Sequence, residues 1–175
     1  MPQKYFTTKA GTLRCLQGVL ETARISQLFT FTVAEWKEKP HDCFFRSLKV
    51  LGPSPWIVRS SCGREDGIIS SNAGAFLSIL NVSEQGFESA VEEVIASYGE
   101  ALITDEVLIQ PMLAHVVRSG VAFSHDPNTC APYRVVNWSE GENTSAVTSG
   151  EGGRVWQQAS GSAHSPPQIG RASCR

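Results

Sequence analysis

Nowhere in the 175 residues is there a run of about 18 apolar side chains, so no helical membrane span is expected. The opening segment Met1-Pro2-Gln3-Lys4-Tyr5-Phe6 also lacks the long apolar stretch of a secretory signal. Cysteine is sparse and scattered: Cys15, Cys43, Cys62, Cys130 and Cys174 are odd in number, and no two form a C-x-x-C. That pattern argues against a zinc site or a redox pair, and it reads as reduced thiols in a cytoplasmic protein. An excess of one charge is missing too. Fifteen basic residues against seventeen acidic ones give a net charge of −2, which supplies no broad footprint for nucleic acid, although a local basic pocket stays open.

The commonest chemical signatures are absent as well. There is no Walker phosphate loop, no G-x-G-x-x-G and no G-x-S-x-G. The four histidines, His41, His115, His125 and His164, do not pair at ligand spacing, so a histidine metal site is not expected. His164 lies in a low-complexity stretch, and none of the many serines has the context of a Ser/His/Asp triad. No internal repeat occurs, and the length excludes a complete large multidomain enzyme.

What the chain does have is core material, 41% of it hydrophobic. Leu13, Leu16, Leu20 and Ala23 recur at helical spacing and predict a helix over residues 8–24. Phe29, Phe31 and Val33 alternate with threonines as in a strand, yet Thr32 and Glu35 form a capping-box pattern that opens a helix at the same place. A further helix is expected over 42–51, closed by Gly52-Pro53-Ser54-Pro55. The clearest helix carries Phe87, Val91, Val94, Ile95 and Tyr98 on one face, with Glu84 and Glu88 towards its positive end. Strands are expected at 56–58, 107–109, 120–123 and 133–136. From about Thr144 onwards Gly, Ser, Ala, Gln and Pro dominate, which predicts loop or disorder. The expected class is α+β.

Two cations stand out. Arg59 ends an apolar strand and opens into a stretch rich in small residues, Ser70-Ser71-Asn72-Ala73-Gly74 among them. A guanidinium there offers a planar fork of donors to phosphate oxygens, and small residues let backbone N–H groups approach an anion. A surface ion pair accounts for the same arginine on composition alone. Lys9 starts the first helix beside Thr7, Thr8 and Gly11. It gains nothing from its own helix dipole and on its own reads first as a solvated surface lysine, while a phosphate shared between lysine and helix terminus would also fit.

In order and wording these segments resemble the N-terminal nucleotide-binding region of pyruvate phosphate dikinase and phosphoenolpyruvate synthase. Lys9-Ala10-Gly11-Thr12-Leu13 resembles that family's opening G-G-K-G/A-x-x-L. Val58-Arg59-Ser60-Ser61 with Glu65-Asp66 resembles its V-R-S-S-x-x-x-E-D, and Ser71-Asn72-Ala73-Gly74 with Leu80-Asn81-Val82 its S-x-A-G…L-N-V. Ile109-Gln110-Pro111-Met112 and Ser119-Gly120-Val121-Ala122-Phe123, through Asp126-Pro127, resemble its Q-x-M…S-G-V-x-F…D-P. These five blocks span about 120 residues in the family's order.

The resemblance implies an incomplete ATP-grasp fold at residues 1–150, with ATP between two lobes, followed by a low-complexity tail at 151–168. It implies that Lys9 and Arg59 hold phosphates and neutralise charge during transfer, while Ser71, Ala73 and Gly74 close over them. Gln110 and Met112 are implied on the adenine side. The ATP phosphoryl group would pass to a histidine on a carrier domain and then to pyruvate or a similar acceptor. Carrier and acceptor-binding domains are both missing from this chain, which therefore reads as a fragment, inactive alone. Two departures stand out. The family's metal-binding strand is replaced by Val136-Asn137-Trp138-Ser139-Glu140, where Asn137 and Glu140 are the candidate Mg²⁺ ligands and surface polarity explains Glu140 equally well. The glycine of the opening G-G-K is replaced by Thr7-Thr8. A non-catalytic nucleotide-binding or interaction module is the rival reading, with an ATP-grasp ligase behind it. Finally, residues 169–175 look like a translated sequencing adapter and are set aside from fold reasoning.

Overall fold

In the computed structural model, the residues described are 8–21, 23–63, 77–141, 147, 153–162 and 172–174. The chain divides into two units, residues 1–112 with 171–175, and residues 113–170. The division falls inside the stretch expected to form one domain.

In the first unit, strand and helix signals that overlap in the sequence are both realised, one after the other. β2 (Phe29–Thr32) ends where α2 (Val33–Glu38) begins, and Thr32 serves as the last strand residue and the N-cap. Its hydroxyl accepts the Glu35 N–H at 3.1 Å, while the Glu35 carboxylate accepts the Thr32 N–H at 2.8 Å. This reciprocal box turns the chain from strand to helix without an intervening loop. α3 (Pro40–Leu51) follows, with proline at its first position, where a missing N–H costs nothing.

β3 (Trp56–Ser61), β4 (Ser78–Val82) and β5 (Glu106–Pro111) complete a four-stranded antiparallel sheet in the order β2-β5-β3-β4. The segment Leu80-Asn81-Val82 is irregular for a reason. Trp56 pairs with Val82 and Val58 with Ile79, so β4 carries one extra residue against β3. Asn81 takes up the excess at φ 56°, a left-handed conformation that asparagine tolerates better than most residues.

Alternation along the strands divides the sheet into two faces. Phe31, Trp56, Val58, Val107 and Ile109 point to one side and pack against Trp36, Cys43, Leu51 and the apolar stripe of α4 (Phe87–Ala96). Phe87 sits at the centre, with ring centroids 5.4 Å from both Phe44 and Trp56, 6.0 Å from Trp36 and 6.4 Å from Phe31. All four pairs are edge-to-face, an arrangement the ring quadrupole favours. The second face carries Leu108, against which Ala10 and Leu13 of α1 (Lys9–Leu16) pack with Ile25 and Leu28.

The first helix is shorter than its apolar spacing predicts. It stops at Leu16, Gly18 turns the chain at φ 80°, and residues 23–25 form strand β1 instead. β1 (Ala23–Ile25) pairs in parallel with a strand of residues 172–174, inside the segment set aside from fold reasoning.

The second unit is a meander of β6 (Arg118–Phe123), β7 (Tyr133–Glu140) and β8 (Arg154–Ala159). β8 corrects the expectation of a structureless tail after residue 151: Val155 and Trp156 pair with Asn137 and Val136 of β7. Its sequence, Arg154-Val155-Trp156-Gln157-Gln158-Ala159, has no apolar alternation to mark a strand, and among the described residues it pairs only with β7. Gly120 is required where it stands, because a Cβ there would lie 2.9 Å from the Trp138 Cβ. The strand at residues 172–174 is β9, and it belongs to the first unit. The observed class is α+β, as expected.

Candidate functional site

β3 and β5 bring the first unit's candidate residues to one sheet face. Arg59 pairs with Leu108, and Ile57 pairs with Gln110. Because side chains two apart share a face, Ile57, Arg59 and Ser61 look the same way as Glu106, Leu108 and Gln110. That is the face α1 covers, so Lys9, the helix's first residue, is brought to the side of the sheet that carries Arg59. Residues 9, 59 and 110 are distant in sequence and gathered only by the sheet.

The first turn of α1 is fastened to this face by specific bonds. The Ala10 N–H donates to the buried Ser61 Oγ at 2.9 Å. Thr8, the N-cap, donates its hydroxyl to Glu106 Oε2 at 3.2 Å and accepts the Gly11 N–H at 3.1 Å. Arg14 reaches Glu106 Oε1 at 3.3 Å and also bonds the Thr30 hydroxyl, which donates to the same carboxylate oxygen at 3.2 Å. The amides of Ala10 and Gly11 are thus engaged by side chains of the protein itself. The expectation that the helix terminus shares a phosphate with Lys9 is narrowed accordingly, since these two amides already have acceptors.

Gln110 is fully buried, and neither its Oε1 nor its Nε2 has a hydrogen-bond partner among the described residues. An amide left unsatisfied in the interior costs about 1–3 kcal/mol, so in a stable fold it calls for a partner such as a water, an ion or a bound group. Arg59 is half-buried on the same face. Met112 follows β5 directly, its N–H held by the Pro55 carbonyl at 2.9 Å. Ser71, Ala73 and Gly74, with Glu65 and Asp66, lie outside the described residues.

Asn137 and Glu140 belong to the second unit, and this donor set does not fit a shared Mg²⁺. They are three residues apart on the regular strand β7, which sets them on opposite faces. The Glu140 carboxylate is held by Arg154 at 3.3 Å and Arg118 at 3.7 Å. Asn137 Oδ1 is buried and has no hydrogen-bond partner among the described residues. No group of three or more His, Cys, Asp or Glu able to hold a metal occurs among the described residues.

Two further features of the sequence have local explanations. Asp126 of the D-P block accepts the Thr129 N–H at 2.8 Å, the Thr129 hydroxyl at 2.9 Å and the Asn128 N–H at 2.9 Å, and these bonds hold its carboxyl below the usual carboxylate range. Burial pushes the Cys43 thiol up to about 11, so it stays protonated at neutral pH and is no nucleophile. Sequence reasoning missed Glu106. Its partners Thr8, Arg14 and Thr30 lie 98, 92 and 76 residues away, a separation at which no spacing pattern operates.

No protein-family model matches the sequence, and no curated protein matches it. Among solved structures, the chain is similar to PH1788 from Pyrococcus horikoshii Ot3, with a TM-score of 0.48 and 15% identity over 80% of this chain and 54% of that one. It is also similar to a dinucleotide-forming acetyl-coenzyme A synthetase 1 from Ca. Korarchaeum cryptofilum, solved with coenzyme A, Ca-AMPCP and HgCl⁺. There the TM-score is 0.46 and the identity 13%, over 78% of this chain and 53% of the synthetase chain. The chain spans about half the length of each of these proteins. No helix among the described residues is long and apolar enough to cross a membrane.

Proposed function

We propose that this chain is the ATP-binding part of an ATP-grasp phosphotransferase of the dikinase and synthase type. The observation that supports it is the convergence of Lys9, Arg59 and the unsatisfied Gln110 amide on one face of the β2-β5-β3-β4 sheet. In this reading Lys9 and Arg59 bind the polyphosphate and neutralise charge as the bond to the leaving oxygen breaks. Arg59, with its guanidinium fork, orients two phosphate oxygens at once, whereas Lys9 acts as a point charge. Gln110 supplies one acceptor and two donors to the edge of the adenine, with Met112 beside the base. The resemblance also assigns phosphate-side roles to Ser71, Ala73 and Gly74, which lie outside the described residues.

The phosphoryl group would leave on a histidine of a carrier domain and pass on to pyruvate or a similar acceptor, in the cytoplasm. Mg²⁺ is expected with ATP, but no step is assigned to it through Asn137 and Glu140. The poor fit of that pair favours a second reading, a non-catalytic nucleotide-binding or interaction module.

The test is to obtain the gene beyond Gln168, express the complete product with Mg²⁺ and ATP, and assay for phosphohistidine. Label on histidine that is lost in Arg59→Ala and Lys9→Ala supports the phosphotransferase. ATP binding without label transfer supports the module, and an acyl phosphate in place of phosphohistidine supports an ATP-grasp ligase. Unchanged ATP affinity in both variants refutes the site. Resequencing the same locus also decides whether residues 169–175 are genomic or adapter.

A further inference from the structure

We infer that Glu106 is a positioning residue that sets Lys9 against Arg59, an inference resting on the nucleotide reading of this face. Lys9 lies between two anchored neighbours. On one side Thr8 donates to Glu106 Oε2 at 3.2 Å, and on the other the Ala10 N–H donates to Ser61 Oγ at 2.9 Å. Glu106 and Ser61 are themselves partners across β5 and β3, and Arg59 lies two residues before Ser61 on the same face. The backbone of Lys9 is therefore tied to the strand that carries Arg59 through two side chains and one sheet rung.

The chemistry of the cap makes Glu106 the determining member. A threonine hydroxyl has one proton and two lone pairs. Because Thr8 gives its proton to the Glu106 carboxylate, a lone pair is left aimed at the Gly11 N–H, 3.1 Å away. Without the carboxylate the hydroxyl loses the acceptor that fixes its proton away from Gly11, and the cap that begins the helix at Lys9 is weakened. The carboxylate does not repel a phosphate on this face, since Arg14 neutralises it at 3.3 Å and Thr30 donates to the same oxygen. Glu106 touches no ligand in this account. It acts through Thr8 on Lys9.

The 175-residue chain carries the test. Amide exchange is measured without nucleotide in wild type and Glu106→Ala. Exchange at residues 9–12 is expected to rise about tenfold while the α4 amides stay protected, and unchanged exchange at 9–12 overturns the clamp. ATP affinity is then measured by calorimetry in wild type, Glu106→Ala, Lys9→Met and the double variant. Each single variant is expected to weaken binding about tenfold, and the double no more than the worse single, because both remove one function. Losses that multiply overturn the positioning role. Glu106→Gln, which keeps an acceptor for Thr8, is expected to recover most of the affinity; failure to recover above Glu106→Ala also counts against the role. A wild-type chain that binds no ATP refutes the nucleotide reading, and with it the action of Glu106 towards phosphates. The exchange data decide the clamp in either case.

Discussion

Ser61 and Ser47 are both fully buried, and each makes one short hydroxyl hydrogen bond, yet their replacement by alanine should have opposite consequences. Ser61 Oγ accepts the N–H of Ala10, a residue that is itself 0% exposed. Ser61→Ala leaves that amide buried and unpaired, and orphaning a buried donor costs about 1–3 kcal/mol. Ser47 Oγ donates instead to the Cys43 carbonyl at 2.8 Å, four residues back in α3. That carbonyl keeps its helical N–H partner when the hydroxyl is removed, and alanine is the better helix former. Ser47→Ala should therefore change stability by less than about 0.5 kcal/mol. Urea denaturation measures both. With a slope of about 2 kcal/mol per molar, a 2 kcal/mol loss moves the midpoint of Ser61→Ala down by about 1 M, with the slope unchanged. Faster amide exchange at Ala10 should accompany it. If Ser61→Ala proves as mild as Ser47→Ala, the bond does not hold α1 to the sheet, and the placement of Lys9 loses its support.

The aromatic cluster predicts that Phe87→Ala costs about 3–5 kcal/mol, since Phe87 is 1% exposed and packs on four other rings. Phe45→Ala, at 62% exposure, should stay within about 0.5 kcal/mol; equal losses in urea denaturation would discredit the assignment of the core. Glu35 gives a pH dependence. The Thr32 N–H above all, and then the Thr32 hydroxyl and Arg46, hold its carboxyl below the reference value of 4.5. A depressed native value means that the ionised carboxylate stabilises the fold fully above about pH 4.5 and that this contribution is lost as pH falls through the lowered value. The melting-temperature gap between wild type and Glu35→Gln should thus be widest near neutrality and narrow on acidification. A gap that stays constant down to pH 3 would contradict the capping box as its source.

Much of the first unit is legible in the sequence because its signals are local. The Thr32–Glu35 box, the stripe of α4 and the alternation in β3 and β5 each depend on residues within a turn or a few strand positions. Where the local signals conflicted over residues 29–35, both were correct, and only the chain's turn at Thr32 gave each its own residues. β8 escaped because a strand paired along one side, with polar side chains such as Gln157 and Gln158, carries too little apolar pattern to stand out from loop composition. The helix expected over residues 8–24 failed for the converse reason. Leu20 and Ala23 keep helical spacing, but Gly18 adopts a conformation no helix contains and residues 23–25 find a strand partner.

By itself, then, the sequence determined the helices and strands with strong local patterns, among them α3, α4, β3 and β5, the capping box at Thr32, and which cations have the chemistry to hold phosphate. It could not decide that Lys9, Arg59 and Gln110 share a face, that Asn137 and Glu140 do not, or that Glu106 anchors the helix bearing Lys9. The first and last of those facts depend on strand register and on contacts between residues 50 to 98 positions apart, and the second on the length of β7, which runs past the residues expected to form it. A one-residue shift in register would turn Arg59 into the aromatic core and Val58 towards α1. Only the packed sheet, which buries one specific set of alternating side chains against α2, α3 and α4, removes that freedom and leaves the cations on the other side.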